Sequence, residues 1–323
     1  MATPITLVLS DAGDAAVVER MNSLLSAAGA DVDLQRFDAD DGQVTPALVD
    51  AIRRTGVGLM GFQWGRRNEG KAPPIVQLRR DLGIQSNVRP IRSLPGVDCV
   101  FDDVDLLIVR EVTEDVYAQL EHESLPGVFE SLKVTTRTAC ERIARVAFEL
   151  ARAKRRKKVT TVHKSNIMKH SDGLFLRVSQ EVAKEYPEIE HDEVIVDALC
   201  MKLVLTPQKF DVLLCGNLFG DIVGDLAAGL TGGAVNTPSI NLGPNVAVFT
   251  VGQRGPRTGG SDALPMLLSS LYLLEHIGQR DARRRLGRAA ESAVLDGIRP
   301  QAIGGPADTN QYFDAVIERL GRA

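Results

Sequence analysis

The segment Asn217–Asp225, Asn-Leu-Phe-Gly-Asp-Ile-Val-Gly-Asp, constrains the fold and chemistry of this chain more than any other part. It follows Phe210–Cys215, a short apolar run that predicts a buried strand, and Asn217–Gly220 is expected to form the turn. Asp221 and Asp225 would then lie on one face of a helix, because side chains one turn apart stack along the axis. Open α/β sheets bind ligands at the carboxyl ends of their strands. The sequence therefore predicts an α/β fold with a site at this turn.

These two carboxylates form a candidate metal site. Like charges one turn apart repel each other and destabilise a helix, and a divalent cation between them removes the repulsion. Their hard oxygen atoms suit Mg²⁺ or Mn²⁺. The alternative is a solvated acidic helix face, which spacing alone favours because acidic pairs of this kind are common. The neighbouring motifs decide between the two interpretations.

Composition narrows the class of protein. The chain has 323 residues, 44% hydrophobic and 25% charged, which is ordinary for globular proteins and long enough for two cores. A formal net charge of −4 argues against general nucleic-acid binding. Its apolar runs are too short for a membrane span, and its first residues lack a signal-peptide pattern. The 4 cysteines stand singly without metal-like spacing, which predicts reduced thiols in a cytoplasmic protein.

Strand and helix patterns alternate along the chain, which predicts βαβ units and a mainly parallel sheet. Besides the strand before Asn217, the predicted strands are Ile5–Leu9, Val32–Phe37, Val57–Met60, Asn87–Ile91 and Leu106–Val109. The predicted helices are Ala15–Ala28, Ala47–Arg54, one continuing through Leu78–Leu82, Thr138–Ala153, Val194–Leu203 and Leu264–His276. Arg110 is expected at the carboxyl end of the strand that precedes it.

Four motifs in a fixed order carry a family resemblance. They are Val109–Tyr117, Val162–Phe175, Val194–Leu199 and Asn217–Asp225. From about residue 79 to residue 243, the chain resembles the β-decarboxylating dehydrogenases, which include isocitrate, homoisocitrate and 3-isopropylmalate dehydrogenases. The likeness is greatest to the isocitrate branch. It implies an isocitrate/isopropylmalate dehydrogenase-like α/β fold, in which two lobes share a large mixed, partly parallel sheet.

The resemblance also implies how the chain is organised. Residues 1–95 and 245–323 would form a cofactor-binding lobe, and residues 96–244 a lobe for substrate, metal and dimerisation. In this family, the residues at the positions of Lys164 and Asp197 reach into the neighbouring subunit's site. The implied assembly is therefore a homodimer with shared active sites.

Roles for individual residues follow from the same resemblance. Oxidative decarboxylation of a 2-hydroxy acid needs groups that hold carboxylates, a metal at the hydroxyl, acid–base groups and a nicotinamide. Arg79, Arg89 and Arg110 match the arginines that clamp the malate carboxylates in the family, and planar guanidinium groups suit that task. Tyr117 and Lys164 match the acid–base pair. Any one of these residues alone would be interpreted as an ordinary surface or core side chain. Together, at the spacing that the family has, they favour an active site.

The metal and cofactor assignments complete this set. The implied metal ligands for Mg²⁺ or Mn²⁺ are Asp197, Asp221 and Asp225. The residues that match cofactor contacts for NAD or NADP are Asn217, Gln253, Arg257 and Leu264. The implied partners are thus a nicotinamide dinucleotide, a divalent cation and a small di- or tricarboxylate.

The loop before Arg79 departs from the family. Where the isocitrate branch has Ser-x-Asn, this chain has Pro73–Ile75, which offers no side-chain hydrogen bond. Arg66, Arg67 and Lys71 place three cations in the same loop. A guanidinium binds a phosphonate as well as a carboxylate. One candidate substrate is therefore 3-(phosphonomethyl)malate, the phosphonate analogue of isocitrate in phosphonate antibiotic biosynthesis, and the alternative is a solvated loop edge.

Two loops with cofactor roles also differ. The glycine-rich turn near the start of the family's sequences is replaced by Ser10–Ala16. The adenine-side loop reads Gln253–Gly260, and Arg257 stands where NAD enzymes have the acidic residue that favours a ribose 2′-hydroxyl. An arginine there suits a 2′-phosphate and favours NADP. The alternative is a loop that has drifted in sequence.

Two classes of function fit these observations. The first is a metal-dependent, NAD(P)-linked oxidoreductase that oxidatively decarboxylates isocitrate or an isocitrate-like 3-substituted malate. The second is a non-catalytic regulatory subunit of a multi-subunit isocitrate dehydrogenase, which the altered cofactor loop favours. The retained arginines, acid–base pair and carboxylates favour the enzyme, because a subunit freed from catalysis has no physical reason to keep them clustered.

Overall fold

The computed structural model describes residues 2–9, 15–39, 43–61, 74–251 and 263–321. The chain divides into two compact units. The first unit comprises Met1–Gly83, Ser93–Asp102 and Thr231–Ala323, and the second comprises Ile84–Arg92 and Asp103–Leu230. The assignment of cofactor binding to one lobe, and of substrate binding and dimerisation to the other, stays a prediction.

The strands of the described residues confirm the predicted α/β class. In chain order they are β1 (Thr3–Leu9), β2 (Val32–Asp38), β3 (Val57–Met60), β4 (Ser86–Arg92), β5 (Asp105–Glu111), β6 (Glu121–Leu125), β7 (Val128–Ser131), β8 (Lys158–His163), β9 (Glu190–Ile195), β10 (Val212–Cys215), β11 (Ser239–Leu242) and β12 (Ala247–Thr250). The large mixed sheet has 10 strands, and β6 and β7 form a separate antiparallel hairpin.

Most helices of the described residues lie between these strands in sequence, and the last three follow β12. In chain order they are α1 (Ala15–Ala27), α2 (Pro46–Thr55), α3 (Pro74–Leu82), α4 (Arg137–Ala153), α5 (Ser171–Ala183), α6 (Val196–Leu205), α7 (Asn217–Leu230), α8 (Ala263–His276), α9 (Arg280–Leu295) and α10 (Thr309–Gly321). Across the described ranges, none of these helices combines the length and apolarity that a membrane crossing requires.

In the first unit the strands lie in the order β2, β1, β3, β12, β11. All neighbouring pairs are parallel except β12 with β11, which are antiparallel. Helix α2 shows why the chain turns where it does. The Thr45 side chain accepts a hydrogen bond from the Leu48 amide, Pro46 occupies the first turn, and Gly56 ends the helix at φ 72°. These are the residue types that start and stop helices.

In the second unit the strands lie in the order β4, β5, β10, β8, β9. The β4–β5 pair is antiparallel, and the other pairs are parallel. Strand β10 is buried at every position, as its apolar sequence predicts. Arg110 on β5 is paired in register with Cys215 on β10. The carboxyl ends of these two strands therefore lie together, and the residues that follow them form one edge of the sheet.

Two predicted element boundaries are wrong. The sequence pattern predicts a helix at Val194–Leu203, but Val194 and Ile195 end strand β9, and α6 begins only at Val196. Pairing of β9 with the parallel strand β8 decides this boundary, and that pairing has no local signal in the sequence. The predicted turn Asn217–Gly220 is instead the first turn of α7, where the Gly220 amide donates to the Gly216 carbonyl at 2.9 Å.

Candidate active site

Arg110 connects the end of β5 with helix α7. Its guanidinium is 4% exposed and forms an ion pair with Asp221 through Nη1. Its Nε and Nη2 both donate to Oδ1 of Asn217, at 3.0 and 2.7 Å. The Asn217 amide in turn donates to the Glu114 carbonyl at 3.0 Å. Gly220 makes room for this arrangement, since a Cβ there would lie 2.6 Å from Cγ of Arg110.

The same arrangement recurs one turn later on α7. Arg89, from β4, donates through Nη1 to Oδ1 of Asp225 at 2.7 Å, and the Asp225 side chain is 78% exposed. A Cβ on Gly224 would lie 2.6 Å from Nη1 of Arg89. Each arginine therefore lies against a glycine of α7 and pairs with the carboxylate that follows it. We call Arg89, Arg110, Asp221 and Asp225 the arginine–aspartate ladder.

Tyr117 contacts this ladder from a short turn. The turn Val116–Ala118 is a single 3₁₀ turn, and the Tyr117 hydroxyl donates to the Asp221 carboxylate. The Arg110 guanidinium lies 5.0 Å from the centre of the Tyr117 ring, within the range of a cation–π contact. Burial, with the hydrogen bond to Asp221 as a further cause, raises the pKa of Tyr117 above its ordinary value. The phenol is therefore protonated at neutral pH and can act as a donor.

Lys164 and Asp197 form a second charged group, which we call the lysine pair. Lys164 follows β8, Asp197 lies in the first turn of α6, and their Nζ and Oδ1 atoms are 2.6 Å apart. The hydrogen bond from Lys164 lowers the pKa of Asp197 below its ordinary value. Within the described part of the chain, neither side chain has a hydrogen bond or ion pair with the ladder. One chain thus does not bring the two groups into contact.

The acidic residues of the site fit a divalent cation in part. Asp221 and Asp225 offer carboxylate oxygens one helical turn apart, and hard oxygen ligands are those that Mg²⁺ and Mn²⁺ prefer. Among the residues that the structure describes, no group of three His, Cys, Asp or Glu side chains is placed to hold a metal. Asp197 is paired with Lys164 instead. One chain supplies two suitable ligands, and Asp197 as a third ligand stays a prediction.

The other predicted site residues are spread over the chain. Arg79, on α3 in the first unit, donates through Nε to Oδ1 of the buried Asn241 at 3.0 Å. Leu264 is buried near the start of α8. The predicted substrate residues Arg66 and Arg67, and the predicted cofactor residues Gln253 and Arg257, lie outside the described residues. The roles of all six stay predictions.

Sequence reasoning missed two supports of the ladder. Gly220 and Gly224 each precede an aspartate, so a Gly-Asp pair repeats at the spacing of one helical turn, a signal that is visible in the sequence. The second support is Asn217, predicted as a cofactor contact, whose amide here binds Arg110 and the Glu114 carbonyl. The bond to Arg110 spans 107 positions, so no local pattern indicates it.

Comparison with known proteins identifies relatives of this chain. Residues 9–316 match the family described as isocitrate/isopropylmalate dehydrogenase. The chain is 38% identical over 327 residues to isocitrate dehydrogenase (NAD) regulatory subunit 1, mitochondrial, of Arabidopsis thaliana, covering 98% of this chain and 89% of that one. It is 36% identical over 333 residues to catalytic subunit 5 of the same enzyme and plant, with the same two coverages of 98% and 89%.

A solved structure shows the same fold. The crystal structure of isocitrate dehydrogenase from Methylococcus capsulatus matches with a TM-score of 0.88 and 38% identity, and the match covers 99% of both chains. The isocitrate dehydrogenase-like fold predicted from the motifs is therefore confirmed. Regulatory and catalytic relatives lie at similar identity, so identity alone does not separate these two functions.

Proposed function

Because the chain belongs to the isocitrate/isopropylmalate dehydrogenase family, we propose that it is a metal-dependent, nicotinamide-linked enzyme that oxidatively decarboxylates a 3-substituted malate. The arginine–aspartate ladder carries this proposal. It places two guanidinium groups and two carboxylates on one helix face, with the Tyr117 hydroxyl bonded to one of the carboxylates. A malate and a divalent cation have charges complementary to the two halves of the ladder. The guanidinium groups bind the substrate carboxylates, and the aspartates bind the cation.

The chain's own residues hold the substrate and move its protons. Arg89 and Arg110 orient the malate through its carboxylates. Tyr117, protonated at neutral pH, donates a proton to the enolate carbon that decarboxylation leaves, and Lys164, as the neutral amine, takes the proton of the hydroxyl. When bound, the metal lowers the pKa of that hydroxyl and polarises the ketone, and the nicotinamide accepts hydride.

A turnover assay tests this function directly. Purified protein is incubated with Mg²⁺ or Mn²⁺, a panel of 3-substituted malates and each nicotinamide dinucleotide, and reduced nicotinamide is followed by absorbance. We expect turnover of at least one malate that depends on the metal. An absence of turnover over the whole panel contradicts the proposal.

The regulatory-subunit function is the second candidate, and the altered sequence of the adenine-side loop Gln253–Gly260 favours it. It predicts no turnover by the purified chain and a change in the activity of a separate catalytic subunit after mixing. The intact ladder argues against it. A subunit freed from catalysis has no physical reason to keep these arginines and carboxylates clustered.

The lysine pair supports a homodimer with shared sites, in which Lys164 and Asp197 act in the partner's site. The test mixes two inactive variants, Tyr117→Phe and Lys164→Met, under conditions that exchange subunits. Half of the dimers become mixed, and each mixed dimer has one complete site, so we expect about a quarter of the wild-type turnover. If mixing restores nothing, the two residues belong to the same site within one chain.

The choice between NAD and NADP depends on the loop that contains Arg257. The names of both plant relatives carry NAD, whereas Arg257 favours the 2′-phosphate of NADP. We propose NAD(P) as the cofactor and Arg257→Asp as the test of its choice. If Arg257 reads the 2′ position, the variant shifts kcat/KM from NADP toward NAD. An unchanged ratio removes this residue from cofactor selection.

The substrate loop favours a malate with a third acidic group. Arg66 and Arg67 bring charge there, and Pro73–Ile75 removes the hydrogen-bonding side chains of the isocitrate branch. Isocitrate and 3-(phosphonomethyl)malate are the candidates, and their kcat/KM values discriminate between them. A preference for the phosphonate that collapses in Arg66→Ala or Arg67→Ala supports the phosphonate. Equal or better use of isocitrate, insensitive to both changes, rejects it.

A further inference from the structure

Asp115 adopts a backbone conformation that residues other than glycine rarely adopt. Its φ and ψ are 76° and −155°, and the residue is 3% exposed. This region of backbone space is strained for residues with a side chain and persists only where the surrounding structure enforces it. Asp115 directly precedes the turn that holds Tyr117. The strained backbone of this buried residue, next to the proposed proton donor, must be maintained by contacts with its surroundings.

The contacts of Asp115 show what enforces its conformation. Its carboxylate accepts hydrogen bonds from the Val116 amide at 2.8 Å and from the Leu218 amide at 3.1 Å. The Lys133 ammonium lies 2.8 Å from the same carboxylate. Leu218 lies in the first turn of α7, the helix that carries Asp221. Asp115 therefore fixes the Tyr117 turn against the start of that helix, and Lys133 neutralises its charge.

Lys133 has a second buried carboxylate as a partner. Its Nζ atom lies 3.5 Å from Oδ1 of Asp172, and the other oxygen of Asp172 accepts a hydrogen bond from the Lys164 backbone amide at 2.6 Å. The side chains of Lys133, Asp115 and Asp172 are 17%, 4% and 6% exposed. Lys133 also lies 5.4 Å from the centre of the Phe219 ring on α7. One ammonium thus joins the segment of Tyr117 to the segment of Lys164.

We propose that Lys133 is a positioning residue: through Asp115 and Asp172 it holds the Tyr117 turn and the Lys164 backbone in a fixed relation. This inference rests on the proposed function, which assigns acid–base roles to both residues. Neither role requires Lys133 to touch the substrate. Loss of the ammonium leaves two buried carboxylates uncompensated, and both segments are then expected to move. Displacement of a reacting group by about 1 Å costs up to about 10²-fold in rate.

The test follows both segments at once by NMR, without substrate. The chain has 4 tyrosines, so 3-fluorotyrosine labelling gives four ¹⁹F signals, of which Tyr117→Phe identifies one. ¹⁵N-lysine labelling reports the Lys164 amide, identified by Lys164→Arg. In Lys133→Met we expect both signals to shift while the other tyrosine signals stay in place. Lys158→Met is the matched control, because Lys158 is also partly buried and ion-paired, 3.4 Å from Asp192.

Kinetics add a readout that general destabilisation does not produce. Lys133→Met should lower kcat by about 10–100-fold and change KM for the malate little, because Arg89 and Arg110 are untouched. Lys133→Arg keeps the charge and should recover most of the lost kcat. If Lys133→Met does not fold, Lys133→Gln replaces it, and the same signals decide.

Two results overturn the proposal. The first is that the Tyr117 and Lys164 signals of Lys133→Met have the same positions as in the Lys158→Met control. The second is that all four tyrosine signals shift alike in Lys133→Met, as a loosened fold would produce. Because the NMR signals need no substrate, a protein that turns over no malate still tests the positioning role. Failure of the proposed function and failure of this inference are therefore distinguishable.

Discussion

The arginine–aspartate ladder and the lysine pair carry similar charges but are supported differently. In the ladder, Arg110 is 4% exposed and binds both Asp221 and Asn217. In the lysine pair, the side chains of Lys164 and Asp197 are 27% and 68% exposed and bind each other. A buried guanidinium without a partner destabilises the fold, whereas an exposed pair can exchange its partner at little cost. The ladder is therefore expected to support the fold as well as bind substrate, and the lysine pair is placed to act on something outside it.

The largest effect expected from this contrast is on turnover. Lys164→Met removes the amino group that the proposed function uses in proton transfer, and we expect kcat to fall by about 10²–10⁴-fold. The thermal midpoint and the oligomeric state should persist, because Lys164 adds little to packing. Steady-state kinetics and thermal denaturation measure both. Near-native turnover in this variant would exclude Lys164 from the mechanism.

The next largest effect is on stability and concerns Asn217, which binds Arg110 of the ladder. Asn217→Ala removes the acceptor of two hydrogen bonds from the buried Arg110, and we expect a loss of about 1.5–3 kcal/mol in the free energy of unfolding. Urea denaturation measures the loss. Asn310→Ala is the control, since Asn310 is exposed on α10 and should change stability by no more than about 0.5 kcal/mol. Equal stabilities of the two variants would show that the hydrogen bonds between Arg110 and Asn217 do not support the fold.

A methyl group on α7 makes a smaller change. In Gly224→Ala the new Cβ meets Arg89, and repacking should cost about 1–3 kcal/mol. Gly229→Ala is the matched control on the same helix, because a Cβ there meets nothing within 4 Å. That control should be neutral or stabilising by about 0.5–1 kcal/mol, as expected for glycine replaced within a helix. Identical denaturation midpoints for both variants would contradict close packing of Arg89 on the helix.

The smallest effect is expected from Asp197→Asn. The pKa of Asp197 is lowered by Lys164, so any stabilisation is complete above the ordinary carboxyl pKa and is lost as the pH falls through the folded-state pKa. Solvent screens so exposed a pair, and thermal midpoints of wild type and variant should therefore coincide at neutral and acidic pH. A clear loss at neutral pH that disappears in acid would show that the lysine pair supports the fold as the ladder does.

What the sequence could predict depends on how far apart the interacting residues lie. The helical face of Asp221 and Asp225 follows from their spacing, and the buried strand β10 from its apolar run. Arg89 meets Asp225 across 136 positions, and only the family resemblance brought these residues into one site. The start of α6 was misplaced because a partner strand, and not local propensity, extends β9 to Ile195.

The network around Lys133 was the least predictable part. Lys133 stands in an ordinary stretch of sequence, and its partners Asp115 and Asp172 follow no recognisable metal or catalytic spacing. The backbone conformation of Asp115 is one that glycine normally adopts. An aspartate at this position therefore gives no indication in the sequence of the turn that the structure shows. The compensating contacts come from the folded chain, and they become visible only in three dimensions.

The division of the chain into units has a consequence for synthesis on the ribosome. The second unit is complete once Leu230 has left the ribosomal exit tunnel, whereas β12, which pairs with β3, lies beyond it at Ala247–Thr250. During translation the second unit can therefore fold while one edge of β3 is still unpaired. An unpaired strand edge is a template for wrong pairing, so the growing chain is most exposed to aggregation in this interval. Nascent chains stalled at a length that brings Leu230, but not Ala247, out of the ribosomal exit tunnel should bind chaperones through the first unit and leave the second unit protected from protease.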